Sequence, residues 1–306
     1  MYNAYVLAGG SGFVGSVLAK KLAAHGNKVY ILTRQANRVS DGLIHYVQWN
    51  TEAKLLLGEI KESNVCLINL AGANVAHGRW TSKRKEDLLT SRTSSIETLL
   101  KLVRDQQIDA SYFFSASAIG YYGVQNKPCA EDMPPSNDFL GNTCKAWEEA
   151  AMQFAKLQIP YSIGRIGLVM GNDGGAYPEL KASFTARVSA VPSSGEQIYS
   201  WIHIQDAVDA ILHLCRHKLE GVYNITAPLP CNAKTLMQAI GKATGKSFFT
   251  FIVPKFMLQL LLGEFSVELT KSANISSKKL EQSGYTFHFS NIDDCMHKLA
   301  ANNANN

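Results

Sequence analysis

The sequence predicts an α/β protein with a doubly wound parallel sheet of the Rossmann type and a smaller C-terminal α/β lobe that holds substrate. Apolar runs of strand length alternate with helical stretches through the first two thirds of the chain, a pattern typical of parallel sheets with helices on both faces. A turn with glycines three residues apart lies between the first apolar run and the first helical stretch. After residue 172 the pattern changes to short strands mixed with helices.

Each element is predicted from its apolar pattern and its flanking turn residues. The predicted strands of the first part are residues 4–8, 28–32, 44–49, 65–70, 112–115 and 161–169. The helices that separate them are residues 13–24, 82–104 and 143–157. We predict a nucleotide-binding domain over residues 1–172, with interleaved returns from 199–226, and a substrate lobe over residues 173–306. Within the lobe, residues 199–204 and 222–225 are expected to be strands.

Composition excludes several classes of function. The chain has 306 residues, 46% hydrophobic and 18% charged, with a net charge of +5. The densest basic run, Lys83-Arg84-Lys85, is followed at once by two acidic residues, so we expect a solvated helix face and no nucleic-acid partner. The longest apolar stretch, residues 256–262, is too short to cross a bilayer, so no membrane association is expected.

The cysteines and the first strand favour a cytoplasmic protein. The six cysteines form no CxxC pair and no metal-ligand spacing, which suits a reducing compartment and predicts no metal site. His213 and His217 are four residues apart but have no carboxylate at a ligand spacing, so a surface helix is the expected setting. The first strand begins within four residues, which leaves no room for a signal peptide.

The glycine turn is the strongest functional signal. Glycine permits the tight turn, allows backbone N–H groups to approach a pyrophosphate, and lets the helix pack on its strand. No Gly-Lys-Ser/Thr follows, so the segment is not a P-loop for a nucleoside triphosphate. The sequence predicts that a dinucleotide is bound by the turn residues Gly9, Gly10, Ser11, Gly12, Phe13, Val14 and Gly15.

The end of the second strand indicates which nicotinamide cofactor is bound. A carboxylate at this position accepts hydrogen bonds from the adenosine ribose and is typical of NAD sites. Here the strand ends at Thr33, with Arg34 next and Arg38 four residues later. A guanidinium beside the ribose can pair with a 2′-phosphate. The pattern therefore favours NADP(H), although Arg34 could also be an exposed loop residue.

Two later strand ends are expected to border the cofactor. Leu70, Ala71 and Gly72 follow the fourth strand, where small residues leave room for a dinucleotide. Ser115 and Ser117 follow on the fifth strand. Their hydroxyls can hydrogen-bond a cofactor or a substrate carbonyl, or they can simply cap the turn.

Taken together, these residues resemble the extended short-chain dehydrogenase/reductases, which include nucleotide-sugar epimerases. A narrower resemblance is to the family of epimerase family protein SDR39U1 and its bacterial relatives. It covers nearly the whole chain and rests on these motifs: Gly78-Arg79-Trp80, Ser91-Arg92, Cys144 with Trp147-Glu148, Gly195-Glu196-Gln197 before Trp201-Ile202-His203-Ile204, Val253-Pro254-Lys255-Phe256 with Leu262-Gly263-Glu264, and Lys279-Leu280 with Gly284-Tyr285.

The resemblance implies hydride transfer with a serine, a catalytic tyrosine and a lysine four residues after the tyrosine. The chain departs from that pattern, because neither register of the segment supplies a phenol. Placing Lys145 as the lysine puts Gly141 at the tyrosine position, and sliding by one residue leaves Leu140 and Cys144 in the two roles. Ser117 would orient the substrate, and Tyr121, Tyr122 or a water could supply the proton, although a Tyr-Tyr-Gly turn is often a packing feature.

The remaining candidates are substrate contacts. Arg79, Trp80 and Arg92 could hold an anionic, ring-bearing ligand at the mouth of the cleft, or they could be packing residues at a helix start. Trp201 is a further candidate, whereas Arg165 is expected to be a paired structural arginine.

Two functions are consistent with these residues. The first is an NADP(H)-dependent carbonyl oxidoreductase or nucleotide-sugar epimerase that acts on an unidentified small molecule. The alternative is a regulatory NADP(H)-binding protein without chemistry, of a cell-division or redox-sensing type. A homodimer is left open.

Overall fold

The computed structural model describes residues 1–35, 38–182, 184, 187–245 and 248–304. Its strands, in chain order, are β1 (Ala4–Ala8), β2 (Val29–Thr33), β3 (Ile44–Asn50), β4 (Leu55–Leu57), β5 (Val65–Asn69), β6 (Ala110–Ala118), β7 (Gln125–Cys129), β8 (Tyr161–Ile166), β9 (Leu168–Gly171), β10 (Gly174–Gly175), β11 (Val188–Pro192), β12 (Ile198–Tyr199), β13 (Trp201–His203), β14 (Gly221–Ile225), β15 (Cys231–Asn232), β16 (Phe249–Val253) and β17 (Ala273–Ile275).

The α-helices are α1 (Phe13–Ala24), α2 (Ser82–Arg104), α3 (Phe139–Met152), α4 (Tyr177–Ala182), α5 (Ile204–Arg216), α6 (Ala233–Ala243), α7 (Lys255–Leu262), α8 (Ser266–Thr270), α9 (Lys278–Gln282) and α10 (Ile292–Ala304). Three 3₁₀ turns complete the described part: Ile119–Tyr122, Gln153–Leu157 and Gly263–Phe265. No helix among the described residues is long and apolar enough to span a membrane.

The main sheet confirms the predicted fold class. Among the described residues its strand order is β14-β8-β6-β5-β1-β2-β3-β4, and every neighbouring pair is parallel except β3 with β4. Strands β1, β2 and β5 are buried along their whole length, as expected for a sheet covered on both faces. The chain runs outward in opposite directions from β1 and β5, so a crevice opens at their carboxyl ends, where ligands bind in such sheets.

Helices and a large apolar core hold this sheet. Helix α1 packs against α5, and α2 packs against α3. Thr81 caps α2 by accepting a hydrogen bond from the Arg84 amide at 3.2 Å, which explains why the helix begins where its pattern predicts. The core that the strands and these helices share includes Leu7, Ile68, Phe114 and Ile211.

The C-terminal lobe has a separate core and is interleaved with the part built on the main sheet. Helices α6 and α10 pack together, and the second core holds Met170, Trp201, Leu236 and Met296. Between two segments of the lobe the chain returns to the main sheet, where α5 packs on α1 and β14 pairs with β8.

A buried carboxylate joins the two parts. Asp206, in the first turn of α5, accepts hydrogen bonds from the backbone N–H groups of His288 and Phe289 at 2.8 and 3.0 Å, and from the Tyr285 hydroxyl at 3.1 Å. Burial raises the pKa of Asp206, while these donors act in the opposite direction. The carboxylate thereby holds the segment before α10 on helix α5.

Several predicted boundaries were wrong. The apolar run 161–169 is two strands, because at Gly167 the chain leaves β8 and β9 pairs instead with β13; a Cβ on Gly167 would lie 2.6 Å from the Ser200 carbonyl oxygen. Strand 199–204 is likewise divided between β12, β13 and the first residue of α5. Helix α3 begins at Phe139 rather than 143, because Asp138 caps it by accepting from the Gly141 amide at 2.8 Å. Strand β4 was not predicted.

Candidate functional site

The glycine turn lies at the carboxyl end of β1, directly beside the loop that follows β5. Gly9 has φ +79°, and a Cβ there would lie 2.6 Å from the Leu70 carbonyl carbon. A Cβ on Gly15 would lie 2.3 Å from the Gly9 carbonyl oxygen. These two positions therefore require glycine if the turn is to fit between the strand, the helix and the β5 loop.

The amino end of α1 is open to solvent. Gly12 is its N-cap and supplies no side-chain acceptor, and the first turn of α1 contains no acidic residue. Ser11 and Gly12 are exposed. The first N–H groups of a helix have no acceptor within the helix and attract anions. A phosphate is thus a suitable ligand for this end.

Phe13 has a packing role that limits what it can offer a ligand. Its ring lies against the β9–β10 hairpin, so closely that a Cβ on Gly171 or Gly174 would approach it to 2.5 or 2.7 Å. Val14 is half-buried against the main core. Only the backbones of these two residues remain as phosphate donors.

Two arginines follow β2, in different settings. Thr33 is buried, and its hydroxyl accepts a hydrogen bond from the Gln35 amide at 3.1 Å. Arg34 is exposed and pairs with no other described residue. Arg38 donates through Nε to the Gln35 Oε1 at 2.9 Å, and its guanidinium lies 5.5 Å from the centre of the Tyr46 ring. Arg38 is therefore oriented before any ligand arrives, with its two terminal nitrogens still able to donate.

Arg92, on helix α2, supports the loop after β5. A Cβ on Gly72 would lie 3.3 Å from the Arg92 side chain, and this guanidinium donates to the carbonyls of Leu88 and Ala73 at 2.7 and 3.0 Å. It also lies 5.0 Å from the centre of the Trp147 ring. Burial lowers the pKa of Arg92. The structure thus places Arg92 as a support of the loop, engaged on backbone, rather than free for a substrate.

The crevice also contains a buried amide. Asn69, the last residue of β5, is fully buried, and its Oδ1 accepts from the Ala71 amide at 3.2 Å. Its Nδ2 has no hydrogen-bond partner among the described residues. Ser115 is its neighbour in register on β6 and is equally buried.

Ser117 is held by a buried ion pair. Its hydroxyl donates to the Glu148 Oε1 at 2.6 Å, and the same carboxylate receives Arg165 through Nε and Nη2, each at 2.8 Å. All three side chains are nearly fully buried. Burial alone would lower the pKa of Arg165, but Glu148 raises it above its usual value. The bidentate contact fixes the Glu148 carboxylate, which holds the serine hydroxyl toward α3.

The two tyrosines after β6 differ in how much they are engaged. Tyr122 is buried, donates to the Asn224 Oδ1 at 2.6 Å and accepts from the Arg165 Nη1 at 2.7 Å. Burial raises its pKa. Tyr121 is half-exposed, with its ring face 3.4 Å from the Arg165 guanidinium carbon, and burial raises its pKa as well. Neither phenol has the lowered pKa that an acid/base tyrosine needs.

The structure distinguishes between the two registers of α3. Lys145 is 55% exposed and faces solvent, where it pairs with Glu149 at 3.9 Å. Cys144 is buried next to Ser117, and burial raises the pKa of its thiol to about 12. Leu140 lies where a Cβ on Gly120 would contact it at 3.2 Å. The second register, with Leu140 and Cys144 facing the strand ends, is the one that the structure adopts, and Lys145 lies away from the crevice.

The structure does not bring the other predicted substrate contacts together in one site. Trp201 is fully buried in the lobe core and donates its indole N–H to the Leu229 carbonyl at 3.0 Å, so the prediction of a substrate contact there was wrong. Trp80 is also buried, donates to the Val75 carbonyl at 2.8 Å, and packs against Phe139 and Phe265. Arg79 is exposed and donates to the Leu260 carbonyl at 2.9 Å.

Sequence reasoning did not find the partners that organise this crevice. Glu148 lies four residues after Cys144 on the same helix face, which is a local signal that could have been read. The contacts of Asn224 with Tyr122 and of Tyr46 with Arg38 had no such signal, because these residues are distant in sequence. Among the described residues, no group of three or more His, Cys, Asp or Glu side chains could hold a metal ion.

The fold and the crevice define a dinucleotide-binding protein of the short-chain dehydrogenase/reductase type. Residues 5–226 match the sequence model of a family described as NAD dependent epimerase/dehydratase, and this chain belongs to that family. Residues 253–299 match a second model, described as a domain of unknown function (DUF1731). The second match begins just before α7, and residues 227–252 lie between the two matches.

Curated relatives agree with that membership, and solved structures share the fold. The Epimerase family protein SAB0724c of Staphylococcus aureus (strain bovine RF122 / ET3-1) is 31% identical over 300 residues, covering 96% of this chain and 98% of that protein. A crystal structure of human epimerase family protein SDR39U1 with NADPH superposes with a TM-score of 0.86 at 24% identity, covering 98% of this chain and 99% of that chain. A UDP-galactose 4-epimerase structure gives 0.78 at 18% identity, with 99% of each chain covered. The predicted resemblance to this family is confirmed.

Proposed function

We propose that this chain binds NADP(H) in the crevice between β1 and β5 and acts there as a carbonyl oxidoreductase or nucleotide-sugar epimerase with an atypical proton donor. The observation that carries the cofactor assignment is the end of β2, where two arginines stand in place of a carboxylate and Gln35 and Tyr46 orient one of them. The NADPH found in the human SDR39U1 structure supports this choice, whereas other structural neighbours hold NAD.

Replacing Arg34 by alanine is expected to weaken NADPH binding by about 1.5–3 kcal/mol, the range for a hydrogen bond to a charged group, and to leave NADH binding unchanged. Arg34 is exposed and pairs with no described residue, so its loss disturbs no contact of the folded chain. The measurement is a fluorescence titration of the nucleotide-stripped protein with each cofactor. An equal loss for both cofactors contradicts a role in binding the 2′-phosphate.

A bound NADPH would supply the hydride for carbonyl reduction, and the chain must then deliver a proton to the substrate oxygen. Ser117 lies at the end of β6, and to orient that oxygen its hydroxyl would have to turn its proton away from Glu148, to which it donates at 2.6 Å. Tyr121 is the better of the two candidate donors, because Tyr122 already donates to Asn224. A water that hydrogen-bonds Ser117 is the other source of the proton.

The phenylalanine variants of the two tyrosines separate these sources. If Tyr121 is the donor, Tyr121→Phe is expected to abolish turnover, at a loss of 10²–10⁴-fold for a general acid. Tyr122→Phe removes a buried hydroxyl from Arg165 and Asn224, so it is expected to lower stability as well. Turnover, NADPH affinity and melting temperature are measured for both single variants and the double variant. Unchanged turnover in all three variants would exclude both phenols as the proton donor and leave a water in that role.

The second candidate function is an NADP(H)-binding regulator without chemistry. It is favoured by one observation: Leu140 and Cys144 face the strand ends where the family pattern has an acid and its lysine, and the Cys144 thiol is protonated at neutral pH. Tight NADPH binding, with no loss of NADPH absorbance across a panel of carbonyl compounds and nucleotide sugars, would favour it over the first. We also assign the protein to the cytoplasm, which the six free cysteines support.

A further inference from the structure

A continuous segment of the lobe exposes large apolar side chains. In β16 the exposed fractions are 83% for Phe249, 52% for Phe251 and 55% for Ile252. Helix α7 follows and adds Phe256, Leu260 and Leu261, each at least 65% exposed. We call residues 249–261 the apolar segment. Among the described residues, other exposed large apolar side chains are scattered singly along the chain, which is normal for a soluble protein.

Strand β16 has one unpaired edge within the described part of the chain. It pairs in parallel with β11 alone. The Phe249 amide donates to the Arg187 carbonyl and the Val253 carbonyl accepts from the Ser193 amide, both at 2.9 Å. Because alternate residues of a strand turn their main-chain groups the same way, 249, 251 and 253 face β11. The N–H and C=O groups of Thr250 and Ile252 therefore point outward.

We propose that this edge is a homodimer interface, at which β16 of a second copy adds antiparallel to β16 about a twofold axis. The register that uses every outward group pairs Thr250 with Ile252 of the partner subunit, and Ile252 with Thr250 of the partner subunit. Four main-chain hydrogen bonds then form. Phe251 lies on the axis, opposite Phe251 of the partner subunit, as a non-hydrogen-bonded pair with the two Cα atoms about 4.5 Å apart.

The chemistry of the segment favours a copy of itself over a different partner. Strand β16 carries no charged side chain, so the twofold axis brings no like charges together. The six exposed apolar side chains present on the order of 700 Å², of which the three on β16 contribute about half. An interface of standard size, ~800 Å² per partner, therefore has to include the α7 side chains beside the paired strands. The edge is also self-complementary, as a twofold contact requires.

The other large helical surfaces do not compete for this role. The outward residues of α2 include Glu86 and Asp87, and those of α3 include Lys145 and Glu149, which are exposed and charged. Helix α7 is attached to the loop before α2 through the Arg79 contact, and the turn that follows α7 is attached to the start of α2 through Lys85, which pairs with Glu264 at 2.5 Å. The apolar segment is therefore held on the body of the protein while its outer side stays uncovered.

A single cysteine on the axis tests the register. Phe251→Cys is expected to give a disulfide-linked dimer under mild oxidation, because residues that face their own copy across a non-hydrogen-bonded pair satisfy the Cα separation of a disulfide. Phe249→Cys is the matched control. Phe249 is on the same strand and at least as exposed as Phe251. In the proposed register, however, it lies about four residues along the strand, or ~14 Å, from Phe249 of the partner subunit. Non-reducing electrophoresis of the full chain measures both, with wild-type protein alongside.

The expected result is a covalent dimer for Phe251→Cys and monomer for the control and for wild type. Equal cross-linking of both variants, or of neither, overturns the proposal. Sedimentation equilibrium gives a second readout: wild type is expected to be a dimer at micromolar concentration and Ile252→Pro a monomer with a nearly unchanged melting temperature, because the lost N–H does not face β11. A monomeric wild type that instead sediments with vesicles of phosphatidylcholine and phosphatidylglycerol also overturns it and identifies a membrane-docking surface.

Discussion

Gly15→Ala is expected to reduce NADPH affinity at least 100-fold, a loss of about 2.7 kcal/mol. The new Cβ would lie 2.3 Å from the Gly9 carbonyl oxygen and 2.7 Å from the Gly10 Cα, both backbone atoms that cannot rotate away. Helix α1 and the turn must then separate, which moves the N–H groups at the amino end of α1 away from the phosphates. The measurement is a fluorescence titration with NADPH, on protein shown to be folded by its melting curve.

Gly26→Ala is the matched control for that experiment. Gly26 lies just beyond the other end of α1 with φ +78°, and a Cβ there would meet nothing within 4 Å. The substitution is strained, at a cost on the order of 1 kcal/mol of stability, but it leaves the turn in place. Its NADPH affinity is expected to match wild type. If Gly15→Ala binds as tightly as this control, the turn is not the pyrophosphate site.

Glu148→Ala is expected to lower the free energy of unfolding by about 3–5 kcal/mol, the cost of leaving a buried charge without its partner. It removes the carboxylate that accepts from the Arg165 Nε and Nη2 and from the Ser117 hydroxyl, all three side chains being nearly fully buried. The guanidinium keeps only neutral acceptors, the Tyr122 hydroxyl and the Glu131 carbonyl. Urea denaturation followed by circular dichroism measures the change. Some of the loss should return in Glu148→Gln, which keeps the shape and one acceptor.

Glu149→Ala provides the comparison for the same measurement. Glu149 is the next residue on α3 and pairs with Lys145 at 3.9 Å, with both side chains more than half exposed. Exposed pairs of this kind contribute little, and the expected loss is below about 0.5 kcal/mol. Equal losses for Glu148→Ala and Glu149→Ala would mean that the buried pair adds no net stability.

Features of the fold that depend on local residues could be predicted from the sequence. Helices α1 and α2 were predicted at their observed bounds, because glycines flank the first and Thr81 caps the second. The start of α3 was missed, although Asp138 gives the same kind of local capping signal as Thr81. The fold class followed from alternation alone.

The crevice could be predicted only in part, because its side chains act through contacts between distant segments. Which side of α3 faces the strands is decided by packing of Cys144 and Trp147, and this reversed the placement of Lys145. Arg92 was predicted to contact substrate. In the structure it supports the loop after β5 instead, through a hydrogen bond to the Ala73 carbonyl, 19 residues away in sequence. Arg165 was predicted to be paired, but its partner was not identifiable from the sequence.

The interleaved path of the chain sets the order in which the protein can be completed on the ribosome. In the finished sheet β14 is the edge strand and β8 is its neighbour. Residues 168–203 of the lobe are made between these two strands, so the outer edge of β8 has no partner until they have emerged. The hydrogen bonds to the Asp206 carboxylate form later still, because their donors at residues 285–289 are synthesised near the end of the chain. Since synthesis runs at roughly 5–20 residues per second, the nascent protein spends seconds with the β8 edge unpaired and with Asp206 lacking its donors at residues 285–289. For that interval, the outer edge of β8 is open to pairing with a strand of another chain.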